Sequence, residues 1–107
     1  MSEWINTRIS KPPISLTVLL YICTFHFSID SSTGKNKKYI VDDAIYTGFW
    51  GGDGKNCDYD IPGFYIETID VKNGGIIFES LNETENLEII AWTLLPRKPY
   101  KGIIDNE

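Results

Sequence analysis

The sequence predicts an all-β protein: a small single-domain antiparallel sheet, or an SH3-like barrel, of about five strands. Three observations carry this reading. β-Branched and aromatic residues gather in runs of strand length. Turn-forming clusters, "SSTGKNK", "KNGG" and "NETEN", separate those runs at short intervals. No segment sustains a helical period. At 107 residues the chain makes one domain, residues 1–107, with room for one modest core.

The elements follow in order. "EWINTRI" has room for a helical turn, and "KPP" then favours extended backbone. Ser15 to Ile29, "SLTVLLYICTFHFSI", reads as a strand whose middle is apolar on both faces, as a central strand is. "SSTGKNK" turns the chain into Lys38 to Trp50, a second strand with a bulge expected at Asp42 and Asp43. "GFYIETIDV" and "IIFESL" flank Lys72 to Gly75, where Asn-Gly supplies the positive φ of a tight hairpin turn. Glu67 and Glu79 are expected to face each other across that hairpin. After "NETEN", where a second helical turn fits, Leu87 to Leu95 forms the last strand and "PRKP" stops it. Phe49, Phe64, Trp4 and Trp92 are assigned to the core.

The 42% apolar and 13% aromatic content suits a folded globule. The longest apolar run, Val18 to Cys23, is strand-sized and far short of the roughly 18 residues that cross a bilayer. "MSEWINTRISKPP" has neither a basic n-region nor an apolar h-region, so the expectation is a cytoplasmic protein that binds no membrane. Cys23 lies in an apolar run and Cys57 in a polar loop. They suggest no disulfide framework, and neither has a zinc-ligand spacing.

The formal charge of −5 hides an asymmetry. Residues 42–88 hold eleven acids against Lys55 and Lys72, a balance of −9, so the flanks together carry +4. Such a block repels nucleic acid and suits cations or basic protein surfaces.

One stretch gathers candidate site residues: "FWGGDGKNCDYDIPGFY", Phe49 to Tyr65. Asn56, Asp58 and Asp60 alternate as in half of a calcium loop, and Glu67 stands where the bidentate ligand falls. Ile61 and Pro62, however, replace the sharp-turn glycine, and strands replace the flanking helices. A phosphate cradle is excluded, because Asn56 follows Lys55 where Ser or Thr is needed and the aspartates repel phosphate. No metal and no cofactor are expected. Enzyme chemistry has little to stand on. The one histidine, His26, is three residues from Cys23 in a strand, which puts the two on opposite faces. Recognition remains: Trp50, Asp53, Asp58, Tyr59, Asp60, Tyr65 and Glu67 combine exposed aromatics with acids and are read as partner-binding.

"EWI" at the start, "PP" followed by "VLLYI", and "IIAWTLLPRKP" near the end resemble a short family of unknown function common in phage and prophage genomes. Its members begin with Trp-Ile and a proline-containing turn, and close on a Val-Thr-His-Trp-x-Pro-Leu-Pro-x-Pro motif. Ala91 stands where that family has His, Leu94 replaces a proline-rich step, and the acidic middle is longer. The resemblance implies a mobile-element origin and a small β domain whose terminal tryptophans pack together, and it implies no activity.

The expected function is therefore non-enzymatic. The chain is read as a phage or mobile-element protein that inhibits a host protein, as an anti-CRISPR does, its acidic surface competing with nucleic acid for a basic site. It does not bind nucleic acid directly. A nucleotide-sequestering protein, using the aromatics with Lys55 and Arg97, is one open alternative. An accessory module of a phage complex, self-associating as a homodimer through a strand edge, is another.

Overall fold

The computed structural model describes residues 3–55 and 59–96. They form an all-β domain: one six-stranded sheet, ordered β1-β6-β2-β3-β4-β5, that does not close into a barrel. The strands are β1 (Ile5–Asn6), β2 (Val18–Ile29), β3 (Asn36–Trp50), β4 (Phe64–Ile69), β5 (Ile76–Leu81) and β6 (Leu87–Leu94). Every pairing of these strands is antiparallel. The sixth strand, unforeseen, is the two-residue β1, which pairs Ile5 with Trp92.

β2 is central, as its two-faced apolar pattern predicts, with β6 on one side and β3 on the other. Val18, Leu20 and Ile22 alternate onto one face and pack with Phe64, Ile89 and Trp92. Leu81 of β5 and Leu87 of β6 close over the same cluster, so the sheet curls around it. Cys23, on the other face, is a fully buried free thiol, whereas His26 is exposed. The Tyr21 hydroxyl donates to Asp43 Oδ2 at 2.8 Å. Neighbouring Cys23 and then Asp43 push its ionisation well above the ordinary tyrosine range.

Trp4 is not in the core. Ile5 shares a face with Trp92, so Trp4 projects to the opposite face, where it meets Tyr21 edge-on at 6.1 Å and stays 44% exposed. The two terminal tryptophans therefore do not pack together. Residues 6–10 make one helical turn, closed by the Ser10 amide donating to the Asn6 carbonyl. "NETEN" is instead a tight turn in which Thr84 and Leu87 exchange both backbone bonds.

Two hairpins leave the sheet as arms. β2 pairs β3 along its whole length, but β3 pairs β4 only over Gly48–Trp50 against Phe64–Ile66. Beyond those residues the hairpins diverge. The bulge in β3 leaves Val41 unpaired between Ile40 and Asp42, one residue before the expected place. The two arm tips share one design. Asp30 and Asp70 each open a four-residue loop, bonding through the amide to the carbonyl of Lys35 and Gly75 respectively. Gly34 and Gly74 take the left-handed φ, +72° and +73°, and donate back to the aspartate carbonyl. Of the expected Asn-Gly pair Gly74 alone adopts positive φ and Asn73 does not, so the hairpin closes through a four-residue loop. The resulting register sets Glu67 against Phe78 and Glu79 against Ile66, so the two glutamates lie on opposite faces rather than facing each other.

Each tip aspartate also accepts from the backbone two residues on, Asp30 from Ser32 at 2.9 Å and Asp70 from Lys72 at 3.0 Å. The Ser32 hydroxyl and amide, with Lys37 beside them, lower the Asp30 carboxyl from 3.8 to about 2. Asn73 and the Lys72 amide lower Asp70 in the same direction. A depressed folded value stabilises the tip fully above the unfolded value, and the contribution is lost as pH falls through the folded one. The Ser32 amide resonance is therefore expected to titrate with a midpoint near 2. Asp30→Asn should abolish that transition, and a midpoint in the ordinary carboxylate range would contradict the account.

Candidate functional site

The Phe49 to Tyr65 stretch is a loop that continues a ladder. Gly51 donates to the Gly63 carbonyl at 2.7 Å and Gly63 to the Gly52 carbonyl at 2.9 Å, so the β3–β4 pairing runs on past Trp50 before the chain turns. Because adjacent residues alternate, this pairing presents two surfaces. Trp50 and Phe64 meet at 4.7 Å on the core side, with the Lys11 ammonium 5.6 Å from the Trp50 ring centre. Phe49 and Tyr65 stack on the other side, with centroids 4.9 Å apart and planes within 8°. Trp50 is thus separated by the sheet from the tyrosines with which the sequence grouped it.

Around Phe49 the structure assembles four rings. Tyr59 lies 5.0 Å away, Phe78 meets Phe49 edge-on at 5.0 Å, and Tyr59 and Tyr65 are 5.3 Å apart. Phe49 is 6% exposed and forms the floor, whereas Tyr59 and Phe78, 38% and 42% exposed, form the walls. Ser15 and Thr17 complete a hollow of about 320 Å³. Both tyrosines are anchored at the hydroxyl. Tyr65 donates to the Ile61 carbonyl at 2.6 Å, and Tyr59 shares a 3.2 Å hydrogen bond with Ser15. Ser15 is placed there by a strained backbone, φ 69°, and by its amide donating to the Trp50 carbonyl.

The acidic block does not form one surface. Glu88 is held by Arg8 at 3.1 Å and by Lys38. Glu83 accepts from the Ile89 amide, Asp43 from Tyr21, and Asp70 is spent in its turn. Asp53 is exposed and accepts from the Lys55 amide at 3.3 Å. Neither Glu67 nor Asp60 lines the aromatic hollow, though both lie close to it in strand or chain. Glu67 alternates onto the Tyr65 face and pairs across the strands with Phe78, and exposed Asp60 follows Tyr59 in the chain. Asp58, with Asn56 and Cys57, lies outside the described residues. Two of the four positions compared with a calcium loop therefore lie outside as well, and among the described residues no cluster of ligating side chains is suited to a metal.

Of the residues the sequence grouped, Tyr59 and Tyr65 line this hollow; Phe49 was assigned correctly to burial, and Phe78, Ser15 and Thr17 were missed. A second hollow, of about 110 Å³, opens between the diverging arms, floored by Ile22, Ile66 and Leu81 beside Asp42. Fold and site together make an open two-armed sheet with an aromatic hollow on one face. No family model, curated protein or solved structure matches the chain.

Gly51 is the residue on which the ring cluster turns. A Cβ there would lie 2.9 Å from Tyr65 Cε1, 3.0 Å from the Gly63 carbonyl oxygen and 3.3 Å from Tyr59 Cδ2. Gly51→Ala is expected to separate the tyrosines at a cost of about 1–3 kcal/mol. Its signature is a changed near-ultraviolet dichroism with the far-ultraviolet strand signal retained; an unchanged aromatic signal would show that the rings do not depend on that approach.

Proposed function

We propose that the chain is a non-enzymatic binding protein of phage or mobile-element origin that docks on the basic, nucleic-acid-binding surface of a host protein and inhibits it. The observation that carries this reading is the solvent-open cluster of Phe49, Tyr59, Tyr65 and Phe78, with Glu67 on the same face. Ring faces attract guanidinium and ammonium groups, by about 0.5–2 kcal/mol each according to their desolvation. Carboxylates beside the rings steer such groups in and complete their hydrogen bonds. An arginine or lysine held there is no longer available to a phosphate, which is how occupancy becomes inhibition. The mobile-element origin rests on the terminal sequence motifs.

The nucleotide-sequestering alternative draws less support. The hollow has the size and rings to stack a base, but Lys55 does not line it, and Arg97, the other basic residue that reading names, lies outside the described residues.

Capture from a bacterial host lysate at low and high salt tests the proposal. The expected result is a basic nucleic-acid-binding protein retained at low salt and largely released at high salt. Charge reversal at Asp53, Asp58 and Asp60 should weaken capture. Tyr59→Ala is expected to weaken it roughly ten-fold at either salt, since ring contacts are not screened. Salt-insensitive capture, or full capture by the charge-reversed chain, would count against it.

A further inference from the structure

We infer that the outer edge of β5 is a self-association site, and that two copies of the chain pair β5 to β5 antiparallel about a two-fold axis through Phe78.

The direction of the backbone groups follows from the hairpin. Asp70 donates to the Gly75 carbonyl at 2.7 Å, so these two form a hydrogen-bonded pair. In an antiparallel ladder such pairs recur at every second residue. Thr68–Ile77, Ile66–Glu79 and Phe64–Leu81 are then the bonded pairs of β4 and β5. Ile76, Phe78 and Ser80 accordingly turn both N–H and C=O away from β4. β5 is the last strand of the sheet, so among the described residues no strand pairs with these groups.

Edges of this kind normally carry a device that prevents pairing, such as a lysine, a proline or a bulge. β3 has such devices along the open edge of its arm: Lys37, Lys38, Asp42, Asp43 and the bulge at Val41. β1, at the other end of the sheet, is two residues long. β5, "IIFESL", has no lysine, proline or bulge and a single charge, Glu79, and its first three side chains, Ile76, Ile77 and Phe78, are exposed large apolar groups on alternating faces.

The occupant that fits is a second copy, and the register is determined. Antiparallel pairing needs outward residues opposite outward residues. Centring on Phe78 sets Ile76 against the second copy's Ser80 and uses the outward groups of all three residues. Centring on Glu79 would oppose two carboxylates directly, and centring on Ile77 would leave Ser80 unpaired. The Phe78 register also brings Lys72, at the tip of one copy, beside Glu85 in the loop of the other, so opposite charges meet at both ends of the seam; Asp70 on that tip and Glu83 in that loop are already engaged by amides of their own chain.

The test is sedimentation equilibrium of the full chain, with two variants chosen from the ladder. Wild-type protein should sediment at twice the chain mass. Ser80→Pro removes an outward N–H and spares the bonds to β4, and Ile76→Lys places a charge on the seam; both should sediment at the chain mass with strand dichroism unchanged. Phe78→Cys should form a disulfide-linked dimer on oxidation, because the two-fold brings the Cα atoms to about 5.5 Å. A wild-type chain that stays at the single mass at NMR concentrations overturns the inference. So does a dimer that survives both Ser80→Pro and Ile76→Lys.

Discussion

Three cross-strand pairs hold this molecule together: Gly48–Ile66, Phe49–Tyr65 and Trp50–Phe64. They are the sole direct strand pairing described between the β2–β3 hairpin and the β4–β5 hairpin. Each face of that short ladder supports something different. On one face Trp50 and Phe64 join the cluster that buries Leu20 and Trp92. On the other, Phe49 and Tyr65 found the ring cluster that lines the open hollow. Core and candidate site are therefore two sides of the same few residues. A change that loosens the ladder acts on the core and on the ring cluster at once, which no single-face contact does.

The ladder is short because strand lengths do not match. β3 runs 15 residues and β4 runs 6, and the tip loop of the second hairpin gives β4 no further strand to offer. β3 then continues alone with β2, and the arms separate. Its exposed apolar side chains are consequences of that mismatch, since a strand without a neighbouring layer has nowhere to bury them. The charges placed along β3, and its bulge, keep this edge from pairing indiscriminately.

Much of this was legible in the residues. The two-faced apolar pattern of "VLLYIC" placed β2 at the centre, because a strand covered on one side alone would alternate. Turn chemistry placed both hairpin tips. The limits were those of register and of long-range contact. Asn-Gly signals a tight turn, yet Asp70 offers the Lys72 amide a side-chain acceptor and so favours a longer loop, which moves every pair of β4 and β5. The sequence grouping of Trp50 with Tyr59 and Tyr65 failed for a simpler reason. Neighbouring residues of a strand point to opposite faces, so Phe49 and not Trp50 belongs with Tyr65. Ser15 was invisible as a site residue because its hydrogen bond to Tyr59 spans 44 positions. The acidic block misled in part, since composition counts carboxylates and does not show which ones a turn, an amide or an arginine already occupies.

Phe78 lies both in the aromatic hollow and on the β5 edge, and the geometry of a strand lets one residue belong to both. Its ring stands perpendicular to the sheet, on the face it shares with Phe49, while its outward N–H and C=O lie in the plane of the sheet. Pairing along the edge uses the backbone groups and leaves the ring in the hollow. The two surfaces thus draw on different atoms of one residue and do not exclude each other. A two-fold through Phe78 would set two hollows side by side on one continuous face. A basic surface with cationic groups at the matching spacing would then engage both, the second contact being made at the high effective concentration that the first creates.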